Sequence, residues 1–148
     1  MITELHADLF ELSVDALAHG CNSQGVMGDG IAAVFKAKYP NMFLEYEAYC
    51  KAELFKPGEV HYYNSRTSRK PSVINLCTQL TKSSGARPEF IRKSFEAVLK
   101  NYKDWKVRSI AMPEIGCGLG GLNWNRDVKD IVYEVFGTSD LEVLVAHR

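Results

Sequence analysis

The sequence has no net charge, no long apolar run, no paired cysteines and no metal-binding histidine spacing, and each absence closes off a class of protein. Its 18 Lys and Arg residues are cancelled by 18 Asp and Glu over 148 residues. That balance argues against a domain that coats nucleic acid or adsorbs to a membrane through bulk charge. No apolar stretch approaches the ~20 residues that cross a bilayer, so no membrane partner is expected. The opening MITELHAD is acidic rather than basic, so a cytoplasmic chain without a secretory leader is expected. The four cysteines, Cys21, Cys50, Cys77 and Cys117, form no C-x-x-C pair, which leaves a zinc knuckle or thioredoxin-like site unsupported. They read as reduced thiols, mostly small buried hydrophobes. His6, His19, His61 and His147 show no H-x-x-x-H spacing, so neither a metal nor a cofactor is expected.

What is present is an ordinary globular composition, 46% apolar and 24% charged, which excludes a disordered chain. The length predicts one domain, 1–148, large enough to bury roughly 68–70% of its unfolded surface without disulfide or metal staples. There is no internal repeat, linker or low-complexity tract. The zero net charge hides a division. Residues 1–50 carry two basic and seven acidic side chains, residues 51–108 carry 13 and five, and residues 109–148 carry three and six. The middle third is therefore strongly basic.

Apolar spacing orders the elements. Strands are predicted at Ile2 to His6, Ala16 to Cys21, Glu59 to Tyr63, Ser72 to Cys77, Ser109 to Met112 and Leu141 to Ala146. VINLC in the fourth is nearly all apolar and reads as a strand buried on both faces. Helices are predicted over Gly30 to Lys38, over Asn41 to Ala52, over a stretch opened by Ser84-Gly85 with Pro88 in its first turn and running to about Lys103, and over Asn125 to Phe136, with Gly137 just past the last. Phe35, Tyr39, Phe43 and Tyr46 fall at helical spacing and read as core. Strands interleaved with helices give an α/β sandwich around a mixed sheet.

Eight of the 11 glycines fall in two short segments, Gly20, Gly25, Gly28 and Gly30 in one and Gly116, Gly118, Gly120 and Gly121 in the other. Each segment follows a predicted strand and precedes a predicted helix, the crevice position at which open α/β sheets bind ligands. Glycine lets backbone N–H groups converge on an anion, and a following helix N-terminus adds a favourable dipole. The bland reading is two glycine-rich turns. Two phosphate cradles in one small domain point instead to a ligand with a diphosphate. Both loops match a dinucleotide fingerprint formally. A nicotinamide oxidoreductase is rejected because the first loop lies seven residues beyond its strand and the chain is short for two domains.

At these residues the chain resembles the macrodomain family, the ADP-ribose-binding modules, over nearly its whole length. The resemblance rests on Ala7-Asp8-Leu9-Phe10 after the first strand, on AHGCNSQGVMGDGIAAVFKAKYP and on MPEIGCGLGGLNW. Within the family it is most similar to the branch of the terminal ADP-ribose protein glycohydrolase and the DNA-directed ADP-ribosyl glycohydrolase antitoxin. The resemblance implies a three-layer α/β/α sandwich with a mixed, mostly parallel central sheet. It implies that Asp8 and Leu9 hold the adenine and that Asn22 faces the distal ribose. Gly28, Asp29, Gly30 and Ile31 would wrap one phosphate, and Ile115, Gly116, Cys117, Gly118, Leu119 and Gly120 the other. Lys82, reached through Thr78-Gln79-Leu80-Thr81, matches a lysine that acts at the distal ribose, with Thr81 beside it at the substrate. A desolvated lysine has a lowered pKa and can attack an anomeric carbon. Lys82 and Asn22 are therefore the candidate catalytic residues.

Blander roles exist for each residue: Asp8 as a turn starter, Asn22 as a cap, Cys117 as a packed small residue and Lys82 as a solvated lysine. One departure stands out. The protein-directed glycohydrolase has an Asp where this chain has Gly120, and Asp29, Glu114 and His19 are the possible substitutes. Two functions follow. One is a metal-independent hydrolase acting at the distal C1″ of ADP-ribose, on an adduct with nucleic acid, protein or an acyl group, or on a 1″-phosphate. The other is a module that binds ADP-ribose without turnover. A monomer is expected. If the basic segment containing Arg66, Arg69, Lys70, Lys82 and Arg87 borders the distal ribose, it favours a polyanionic adduct. Otherwise those charges are spread over solvated faces.

Overall fold

A computed structural model describes residues 1–65 and 69–148; Arg66 lies outside the described residues. In chain order the elements are β1 (Ile2–His6), a 3-10 turn (Leu9–Glu11), β2 (Ala16–Asn22), α1 (Gly30–Lys38), α2 (Pro40–Lys51), β3 (Val60–Tyr63), β4 (Ser72–Gln79), α3 (Pro88–Asn101), β5 (Ser109–Met112), a wide helical turn (Trp124–Val128), α4 (Lys129–Phe136) and β6 (Glu142–His147). The six strands form one sheet in the order β1-β6-β5-β2-β4-β3. Only β3 runs antiparallel to its neighbour. Five parallel strands therefore end along one edge.

Alternation along the strands builds two cores, one on each face of the sheet. Ala16, Ala18, Ile74, Leu76, Ile110, Met112, Val143 and Val145 pack with α3 and α4. Leu17, Cys21, Val73, Cys77 and Ala111 pack with α1 and α2. This is the three-layer α/β/α sandwich with a mixed, mostly parallel sheet. β4 is buried from Ser72 to Thr78, as a central parallel strand flanked by helices on both faces must be. The four aromatics Phe35, Tyr39, Phe43 and Tyr46 are all buried. Among the described residues no helix is long and apolar enough to cross a membrane.

The helix predicted from Asn125 divides. Asn123 accepts the Arg126 N–H at 2.9 Å while Asp127 accepts the Asn123 N–H at 2.8 Å. This reciprocal cap opens a wider turn that carries Trp124 inward, and regular helix begins only at Lys129. Gly137 closes α4 in a helical conformation, φ −62°.

The α1/α2 core contains a row of polar side chains in register across three strands. His19 on β2 faces Asn75 on β4, and Asn75 faces His61 on β3. The ring nitrogen Nε2 of His19 lies 2.6 Å from Asn75 Oδ1, Asn75 Nδ2 lies 3.0 Å from His61 Nδ1, and His61 Nε2 lies 2.8 Å from the Glu45 carboxylate. His19 also stacks on Phe35 of α1 at 3.8 Å, which joins the row to the helix above it.

Candidate active site

The strand ends open into a cleft of about 1000 Å³. It runs from the β1/β6 end, lined by Ala7 to Phe10, Ala146 and Arg148, past both glycine loops, to the β4 end, lined by Thr78, Gln79 and Lys82.

At the β1/β6 end Asp8 starts the 3-10 turn by accepting the Phe10 N–H at 2.9 Å. Its turn-starting role and its place in the cleft therefore coexist. Leu9 beside it is buried.

The first glycine loop is shaped by Asn22. Its Oδ1 accepts the N–H groups of Gln24 at 3.0 Å and Val26 at 3.5 Å, and its Nδ2 donates to Val26 O at 2.9 Å. The buried Tyr46 hydroxyl donates to Asn22 O and Oδ1. The cap reading of Asn22 thus holds together with its position on the cleft wall. The same loop is laced to the turn after β4. Ser23 donates to Leu80 O through N–H and Oγ at 3.1 and 2.7 Å, and the Lys82 N–H donates to Gln24 Oε1 at 2.8 Å. Gly30, with φ +58°, turns the chain into α1 through a conformation that favours glycine. No side chain caps α1. The N–H groups of Asp29, Gly30 and Ile31 have no partner among the described residues, and this end of the helix faces the cleft.

The second glycine loop folds on itself. Cys117 N–H donates to Glu114 O, Gly121 N–H to Gly118 O and Leu122 N–H to Gly116 O, while Ala86 at the approach to α3 donates to Gly120 O. The N–H groups of Gly118, Leu119 and Gly120 have no partner among the described residues. Leu119 reaches across to the first loop, where a β-carbon on Gly30 would lie 3.3 Å from its Cδ1. Gly118 and Gly120 differ sharply. A β-carbon on Gly118 meets nothing within 4 Å, whereas one on Gly120 would lie 2.6 Å from Gly116 O and 2.9 Å from Ala86 Cβ. A side chain at Gly120 has no room without a backbone shift.

Lys82 is exposed at the rim. Thr81 is part of the turn that holds it, its hydroxyl accepting the Ser83 N–H, and it lies outside the residues lining the cleft. The three substitute carboxylate or base candidates separate. His19 is fully buried beneath the cleft, and burial pulls its pKa down to about 4, so it is neutral. Glu114 lines the cleft but turns toward β6, its Oε2 2.6 Å from His147 Nδ1. Asp29 lines the cleft at the start of α1. Cys117 is half-buried, and burial pushes its thiol up to about 11, so it is a packed thiol rather than a nucleophile.

Phe10, Met27, Thr78, Gln79, Pro113, Ala146 and Arg148 also line the cleft, though none of them was assigned to the site from the sequence. Several stand at strand ends, a signal readable only once the strands are known to be parallel. Among the described residues the basic middle segment does not gather at the cleft, which Lys82 alone of its charges lines. Lys82 and Arg87 follow β4, but Arg69 and Lys70 precede it, and Lys103, Lys106 and Arg108 precede β5. The latter group therefore lies toward the opposite edge of the sheet.

Two glycine loops with unpartnered amides, set at the ends of parallel strands along a shared cleft, are the arrangement with which open α/β sheets can hold a phosphate-bearing ligand. The Macro domain family model matches residues 18–131, and the chain belongs to that family. It is 30% identical over 135 residues to a DNA ADP-ribosyl glycohydrolase of Thermus aquaticus, a match that covers 90% of this chain and 37% of that protein. It is 33% identical over 152 residues to the ADP-ribose glycohydrolase OARD1 of Bos taurus, covering 97% of this chain and 90% of that one. The solved macrodomain of Mycobacterium tuberculosis DarG superposes with a TM-score of 0.92 at 30% identity, covering 99% and 97% of the two chains. The chain thus spans little more than a third of the bacterial curated relatives it matches.

Proposed function

We propose that the cleft binds ADP-ribose, with adenine at Asp8 and Leu9, the diphosphate between the two glycine loops and the distal ribose at Asn22, and that the chain hydrolyses the bond at the distal C1″. The observation that carries this reading is the pair of loops with unpartnered amides, which meet at Gly30 and Leu119 between a carboxylate at one end and a lysine at the other. Lys82 would attack C1″ once bound ligand displaces its water. The nitrogen–carbon bond forms as the bond to the adduct breaks, and the adduct leaves with the proton. Water then hydrolyses the ribosyl-lysine and returns free amine and ADP-ribose. Asn22 would orient the distal ribose and Thr81 would hold the Lys82 turn.

Among adducts, nucleic acid is favoured by Lys82 and Arg87 at the β4 end, and by the name of the bacterial relatives. The protein would act as a cytoplasmic monomer. A second reading, binding without turnover, is favoured by Gly120, where the packing leaves no room for a resolving carboxylate. The test is turnover of ADP-ribosyl-DNA, ADP-ribosyl-protein and ADP-ribose-1″-phosphate by wild type and Lys82→Ala. Unchanged turnover in the variant would remove the lysine mechanism. Tight ADP-ribose binding with no turnover on any of the three would establish the binding module.

A further inference from the structure

Beside the β1/β6 end of the cleft sits a cluster that the proposed reaction does not use. His147, at the end of β6, lies between two carboxylates, with Glu114 Oε2 2.6 Å from Nδ1 and Glu4 Oε1 2.8 Å from Nε2. A carboxylate only accepts, so both contacts are hydrogen bonds only when the imidazole carries two protons. The surroundings are accounted for on every side. Glu4 also accepts the Tyr133 hydroxyl at 2.7 Å and pairs with Lys129 at 3.5 Å, both from α4. His6 of β1 lies 5.7 Å from His147 ring to ring, the Trp124 ring meets it edge-on, and Arg148 follows it in the chain. Glu114, by contrast, has His147 as its one side-chain partner among the described residues.

We propose that Glu114 and His147 are positioning residues: the doubly protonated imidazole pins Glu114, and through it the start of the second glycine loop, so that the cleft is set for the diphosphate only while His147 is charged. Glu114 is the first residue of that loop, and its carbonyl takes the Cys117 N–H at 3.1 Å. When the imidazole loses a proton it can serve one carboxylate. Glu4 keeps Tyr133 and Lys129 and is the less exposed of the two, 23% against 38%. The Nδ1 proton therefore leaves and Glu114 is released, an unpaired negative charge on the wall of an anion site. Burial works to lower the His147 pKa, but the hydrogen bonds and charges of Glu114 and Glu4 outweigh it and hold the pKa above the ordinary imidazole value. The clamp is thus complete below that ordinary value and is lost as pH rises through the raised one.

The idea rests on the ADP-ribose reading for its ligand, and two measurements separate them. The first needs no ligand: an NMR titration from pH 6 to 9 of the His147 ring and of the Gly116 to Gly120 amides, in wild type and in Glu114→Gln. A glutamine amide can accept from, or donate to, His147 Nδ1, so the contact survives in both protonation states. The loop amides should follow the His147 midpoint in wild type and lose that dependence in the variant. The second is calorimetry of ADP-ribose over the same range, where affinity should weaken by roughly five- to tenfold in wild type and stay level in the variant. Loop amides indifferent to His147, or a His147 midpoint at or below the ordinary value, would overturn the clamp. Loop amides that follow His147 in a protein that binds no ADP-ribose would support the clamp and sink the ligand reading instead.

Discussion

The two ends of the cleft are held by different chemistry. At the β1/β6 end an ionic cluster of Glu4, Glu114, His147 and Lys129 stands behind the wall. At the β4 end the wall is held by neutral hydrogen bonds, those of Asn22 within its own loop and those of Ser23 and Gln24 to the turn after β4, and the Lys82 side chain stands outside them at the rim. A charge-fixed end suits recognition, because its geometry is set before any ligand arrives. A rim lysine on a short polar turn suits chemistry, because its environment changes when a ligand covers it.

That contrast can be broken experimentally. The largest effect should come from Lys82→Ala, with turnover of ADP-ribosylated substrate falling by about 1000-fold or more while ADP-ribose affinity by calorimetry stays within a few-fold. Equal losses of turnover and affinity would erase the division of labour. Next, His19 is buried neutral below both ends. Its pKa of about 4 lies under the ordinary value near 6.5, so the unfolded chain binds the proton first. The stability it contributes is full above pH 6.5 and is lost as pH falls toward 4, by roughly 3 kcal/mol. Urea unfolding at pH 7 and pH 4.5 measures it, and His19→Gln should flatten that share of the slope. Between the ends, Gly118→Glu should weaken ADP-ribose binding by about 100-fold without loss of stability, since its side chain meets open space and repels the diphosphate. Gly120→Asp should lower the melting temperature as well, because its β-carbon meets Gly116 O. Asn22→Ala should cost about 1–2 kcal/mol by losing a loop cap. The smallest effect should be that of Asp8→Ala, a fall in ADP-ribose affinity of roughly five- to tenfold with turnover at saturation unchanged.

Element order was legible in the sequence because the apolar period changes cleanly between strands and helices, and the two glycine loops were legible because their glycines cluster. The orientation of particular side chains was not. Glu114 looked like a stand-in acid until β6 brought His147 beside it from 33 positions away. Gly120 looked like a missing carboxylate, and only the path of the loop against Ala86 shows why no side chain fits. Whether the basic middle segment forms one patch or is spread over solvated faces was left open by the sequence, in which adjacent residues count together. Folding sends that segment down β3 and back up β4, which parts Arg69 and Lys70 from Lys82 and Arg87.

The reach of Leu119 to Gly30 has a consequence for time rather than affinity. With the exposed Leu119 side chain set near Gly30 at the cleft, a ligand whose diphosphate passes between the loops would have to displace that side chain. Association and dissociation would then share a single opening step. Trimming Leu119 to alanine should quicken both, leaving their ratio nearly where it was.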